Sequence, residues 1–129
     1  MDLSLERLDD IPEPERKDPF FDPAAIIFVD AIASLARISK YPDLLTCKVI
    51  LDLENLAERL EVANLDEAVK LPFTHFITTK GTLTGTAIQM SARTLVQRIL
   101  PTDADVGAVE LLQRCFEVER LLKSSSTGG

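Results

Sequence analysis

Residues 22–39 read DPAAIIFVDAIASLARIS, and this stretch decides the fold class. Asp22 is a good N-cap, and Pro23 suits the first helical position because its missing N–H and fixed φ cost nothing there. Behind them come Ile26, Ile27, Phe28, Val29, Ile32, Leu35, Ala36 and Ile38. That set is too wide for one stripe of a helix, so the segment reads as a central helix buried on most of its circumference. Tyr41-Pro42 ends it, since a residue before proline avoids the helical region. The fold expected from this centre is mainly α, a single domain of four to five packed helices.

Downstream the text stays helical. Residues 43–63 carry Leu44, Leu45, Val49, Leu53, Leu56 and Leu60 near helical spacing, with Glu54, Glu58, Arg59 and Glu61 on a wet side. A break near Asp52 is compatible with the β-branched centre. Asn64 is placed to cap a short helix over 65–71, with Asp66 and Glu67 in its first turn and Pro72 as its stop. The last helix is expected to be capped by Thr102 or Asp103. Its apolar side takes Val109, Leu112, Cys115, Phe116, Val118, Leu121 and Leu122.

Between them lies a departure, THFITTKGTLTGTAIQMSAR at residues 74–93, rich in threonine with Gly81, Gly85 and the sole histidine. Alternation predicts a short strand over 73–79, with Phe73, His75 and Ile77 on one side, a turn at Lys80-Gly81 and a return over 82–86. The competing reading starts a helix at Thr86, where Gln89 three residues on completes a capping-box pattern. The preferred expectation is a helix over 86–100, ended by Pro101 and preceded by a small strand or loop excursion near residues 73–86.

Residues 1–22 read as an N-terminal arm, 23–123 as the helical domain and 124–129, SSSTGG, as a disordered tail. In the arm, Leu3, Leu5, Leu8 and Ile11 line one side, while Pro12, Pro14 and Pro19 forbid a continuous helix. Phe20 and Phe21 are adjacent aromatics that need somewhere to dock.

Composition narrows the function classes. The 129 residues carry a formal net charge of −7, which opposes unspecific attraction to nucleic acid or an anionic membrane. There is no Trp and one Tyr, so the core is expected to be aliphatic. Cys47 and Cys115 belong to no CxxC or Cys/His cluster and read as thiols in a reducing compartment. MDLSLERLDD at the N-terminus has neither the basic region nor the apolar run of a signal peptide. The most apolar window, residues 24–38, is too short to span a bilayer. The expected location is cytoplasmic, with no membrane role.

No motif with chemistry survives inspection. Gly81 and Gly85 are one residue too close for a phosphate loop, and no lysine follows Gly85. His75 has no orienting partner beside it, and the carboxylate pairs include no E-x-x-H element. No cofactor, metal site or catalytic residue is therefore expected, and the chain reads as a non-enzyme. Yet residues 43–63 and 106–123 hold more apolar positions than one stripe requires, and surplus apolar surface on a soluble chain usually meets a partner. The expected function is an interaction or structural subunit that self-associates, as a homo-oligomer, or docks into a larger complex. Its candidate partner contacts are Leu3, Leu5, Leu8, Phe20, Phe21, Thr82 and Thr84. Lys80, Arg93 and Arg98 are the candidate anion or nucleic-acid contacts for two alternatives, a nucleoprotein subunit and a small-ligand or anion-binding protein using the 80–86 loop.

Overall fold

In the computed structural model, which describes residues 3–10, 23–100 and 107–123, the chain is mainly α. Helix α1 spans Pro23–Arg37, α2 Leu44–Leu51, α3 Leu56–Val62, α4 Glu67–Lys70, α5 Thr74–Thr78, α6 Leu83–Ile99 and α7 Ala108–Leu121. Two 3₁₀ turns accompany them, Leu5–Asp10 and Leu71–Phe73. The expected positions of Phe20, Phe21, the Asp22 cap and the 124–129 tail lie outside the described residues, and the last helix has its N-cap at Gly107, where the backbone is still extended, rather than at Thr102 or Asp103.

Helix α1 is the centre. Phe28, Val29, Ile32, Leu35 and Ala36 are all buried, and α1 touches α2, α4, α6 and the Leu71–Phe73 turn. Helix α6 lies along it and contributes Ile88, Ala92, Leu95, Val96 and Ile99 to the same core. Asp43 caps α2 by accepting from the Thr46 N–H at 2.9 Å, and Thr46 Oγ1 donates to the Tyr41 carbonyl.

The long helical text over 43–63 is broken after Leu51, where Asn55 takes a left-handed conformation at φ 55°. The Gln89 side-chain amide of α6 donates to the freed carbonyls of Leu51 at 2.8 Å and Leu53 at 3.2 Å. A break that strands acceptors is thus repaired from a neighbouring helix. Cys47, wholly buried on α2, has its thiol pushed up to about 12 by burial, with the Asp43 carboxylate adding to it. Such a thiol is chemically inert at neutral pH.

Four local expectations are corrected. The helix placed over 65–71 begins later, with Asp66 rather than Asn64 at its N-cap, because its first N–H groups, those of Val69 and Lys70, donate to the Asp66 carbonyl at 3.0 Å, while the Asn64 N–H donates to the Lys123 carbonyl at 2.9 Å. Pro72 follows the end of α4 at Lys70, as expected of a stop, but it does not end the chain's helical course, since it falls in the first turn of the Leu71–Phe73 segment where no N–H is needed. The strand over 73–79 is absent: the described residues there form the 3₁₀ turn and α5. Phe73 and Phe76 both turn inward against Phe28, a one-turn spacing that alternation would have split across two faces. Threonine hydroxyls hold the turns, with Thr74 donating to the Leu71 carbonyl at 2.7 Å and Thr78 to that of His75 at 2.8 Å.

Fourth, α6 starts at Leu83 and not at Thr86. Thr82, in extended backbone, accepts the Gly85 N–H at 3.2 Å, so the cap sits one turn earlier. Gly85 permits it, because a Cβ there would stand 2.5 Å from the Thr79 carbonyl oxygen. Gly85→Ala is expected to destabilise the fold by about 1–2 kcal/mol despite alanine's better helix propensity, because backbone must move. Urea unfolding followed by circular dichroism checks this, and a stabilised variant would mean the Thr79 turn yields freely.

Candidate interaction surface

Helix α7 carries apolar residues on two sides. At 100° per residue, Val109, Leu112 and Phe116 fall within about 60° of one another, and Val118, Leu121 and Leu122 lie on roughly the opposite side. The second group is buried against the domain, and α7 packs chiefly on α2. The first group faces outward, with Val109 64%, Leu112 54% and Phe116 73% exposed.

The described polar contacts that fasten α7 to the domain begin at Arg114. Its Nη2 donates to Asp43 Oδ2 at 2.6 Å and its guanidinium lies 4.6 Å from the centroid of the Tyr41 ring. Glu117, 4% exposed, accepts from the Lys40 N–H at 2.6 Å, from Arg120 Nε at 2.6 Å and from Arg120 Nη2 at 2.8 Å. Hydrogen bonding to Arg120, with a further bond from the Lys40 N–H, holds its carboxyl down at about 2 against the opposing effect of burial. Glu119 pairs with Arg59 at 2.7 Å. Every residue from Gly107 to Gln113, by contrast, is exposed. The first turns of α7 therefore project beyond the body, bearing Val109, Leu111 and Leu112.

Arg114 also donates from Nη1 to the Glu110 carbonyl at 3.1 Å, so one side chain ties the projecting turns to the Asp43 end of α2. The arrangement is a preformed helix with an apolar stripe, fixed at its base. In chemical terms it can bury aliphatic and aromatic surface.

The residues singled out from sequence are scattered. Leu5 and Leu8 belong to the core at 8% and 5% exposure, and the Leu3 carbonyl accepts from the Leu44 N–H at 2.7 Å. Their apolar side is spent on this domain, so Leu5 and Leu8 are not free for a partner; Leu3 is half-buried. Thr82 and Thr84 are exposed, on either side of Leu83, which is 89% exposed. Thr82 is also the α6 cap, which places it in the fold as well as at the surface.

Lys80 is bound to Glu61 at 2.5 Å and Arg93 to Asp52 at 3.0 Å. Arg93 and Arg98 are five residues apart on α6, about 140° around the helix. Arg93 and Arg98 thus leave α6 in different directions, and Lys80 and Arg93 each have their charge met by an acid. The 80–86 loop has Gly81 at φ 77° and opens on a cleft of about 210 Å³ beside Asn55, Phe76, Gly85 and Gln89. A further open groove of about 490 Å³ continues past Gln89 to Met90 and Arg93. His75 is exposed at the rim of a small apolar cleft with Ala24, Ile27, Pro72 and Ile88.

Among the described residues no group of three or more His, Cys, Asp or Glu side chains is placed to hold a metal ion. No described helix is long and apolar enough to cross a membrane. No protein family, curated protein or solved structure matches the chain.

The outward stripe escapes a sequence reading that pools Val109, Leu112 and Phe116 with Val118, Leu121 and Leu122 as one apolar side, although the helical period sets the two groups on opposite faces. The available signal was the excess of apolar positions over 106–123. It marked the helix without separating its two faces.

Proposed function

We propose that the chain is a non-catalytic interaction subunit whose contact surface is the projecting part of α7. One observation carries the reading: residues 107–113 are exposed throughout, while Val109, Leu112 and Phe116 form a single apolar stripe continuing along the same face. A helix that presents anchors at i, i+3 and i+7 is the ligand half of helix-in-groove and helix-pair recognition. Ordered in advance, it loses little conformational entropy on docking. The exposed Leu83 and its threonine neighbours supply a smaller second element, in keeping with the Thr82 and Thr84 contacts expected from sequence.

The test is site-specific photo-crosslinking in the native source, with p-benzoylphenylalanine in place of Leu112 and, as control, of the exposed Glu67 on α4. A discrete protein adduct is expected at 112 and none at 67. Equal labelling at both positions, or none at 112, would remove α7 as the contact surface.

A further inference from the structure

Resting on that interaction reading, we infer that the occupant of the α7 stripe is a second copy of this chain, its α7 laid antiparallel across the first about Leu112. Size complementarity is the first argument. In that register Val109 of one copy faces Phe116 of the other, a small side chain against a large one, with the two Leu112 side chains meeting at the centre. The pattern is self-complementary under a two-fold axis, as an isologous contact requires.

Charge is the second. The chain is acidic overall, at −7, so two copies repel unless the contact is locally neutral. On α7 it is. Arg114 is matched by Asp43, Glu117 by Arg120 and Glu119 by Arg59, all within one chain. The positions flanking the stripe beside and within the projecting turns are Ala108, Gln113 and Cys115, none of them Asp, Glu, Lys or Arg. A groove partner chosen by charge would instead be met by a ring of unmatched acids, and residues 107–116 hold one acid, Glu110, about 100° round the helix from Val109. In the antiparallel register the two Glu110 side chains lie on opposite halves of the overlap, away from each other.

Shape and area agree. Because the first turns of α7 stand clear of the body, each copy's Phe116 reaches the other's projecting turns with the two bodies at opposite ends of the overlap. The stripe offers on the order of 300 Å² of apolar surface per copy. That is well under a standard interface, so the pair is a weak, reversible dimer.

Sedimentation equilibrium of the full chain up to about 1 mM tests this, a range set by the weak affinity that so small an interface supports. A concentration-dependent dimer is expected. Phe116→Asp and Val109→Asp, both at exposed positions, should each weaken it at least tenfold with helicity unchanged, whereas Met90→Asp, at an exposed position on α6, should leave it intact. Orientation is read by oxidative crosslinking. Ala108→Cys should form an intermolecular disulfide with the partner copy's native Cys115, and the wild-type chain should form little through Cys115 alone. Monomer at every concentration overturns self-pairing, as does a dimer indifferent to Phe116→Asp. Efficient wild-type Cys115 crosslinking overturns the antiparallel arrangement. The interaction reading fails separately: a monomer that still gives an adduct at position 112 with a different polypeptide sinks the second copy while keeping α7 as the contact surface.

Discussion

Phe73→Ala is expected to destabilise the domain by about 3–5 kcal/mol, the range for truncating a fully buried phenylalanine. Phe73 is 0% exposed and its ring meets Phe28 edge-on at 5.9 Å and 83°, while Phe76 stacks on the other side of the same residue at 4.3 Å. The loss combines transfer of the ring, a cavity against α1 and removal of an aromatic pair worth about 0.5–1.5 kcal/mol. With total stability of domains near 5–15 kcal/mol, one substitution removes a large share of it. Phe116→Ala is the matched control. That ring is 73% exposed, and its loss should change stability by less than about 0.5 kcal/mol. Urea titration of both variants by circular dichroism at 222 nm separates them. Equal effects would mean that Phe73 and Phe116 occupy similar environments, contrary to the structure.

This pair of phenylalanines also measures what could be read in advance. The all-helical class was legible because it rests on spacing, and residues 22–39 have spacing that no other element satisfies. The end of that helix and the break near Asp52 were legible for the same kind of reason, a proline and a run of β-branched residues. The 73–86 block was not. Its threonines favour extended structure when taken one by one. In the fold their hydroxyls bond back to carbonyls one turn earlier and so support short helical turns. Phe73 and Phe76 choose the helical alternative because Phe28 stands where both can reach it, which is a tertiary fact. The candidate site was half legible. Surplus apolar text marked 106–123, but which face is covered depends on where α2 ends, and Asp43 and Lys40 become visible as the anchors of α7 only in the folded chain.

The attachment of α7 gives the second large effect. Glu117 is a buried carboxylate on which three donors converge, the Lys40 backbone N–H and two nitrogens of Arg120. Glu117→Gln preserves the shape but turns one oxygen into an amide nitrogen, a donor facing donors. At pH 7 the variant is expected to lose about 2 kcal/mol, since a charge-assisted bond is removed and a buried N–H loses its better acceptor. The sign of the pH dependence follows from the carboxyl sitting near 2 in the folded chain against an ordinary value of 4.5. The unfolded chain binds the proton first as acid is added. The stabilisation is therefore complete above about pH 4.5 and is lost as the pH falls from there towards 2. Glutamine cannot titrate, so the gap between wild type and variant should be widest at neutral pH and narrow by pH 3. Urea midpoints at pH 7, 5, 4 and 3 measure it. A gap that stays constant across the series would mean that the ionised carboxylate is not what holds α7 to the Lys40 turn. A gap that closes would mean that the ionised Glu117 carboxylate, held by Arg120 and the Lys40 N–H, carries the stabilisation that acid removes.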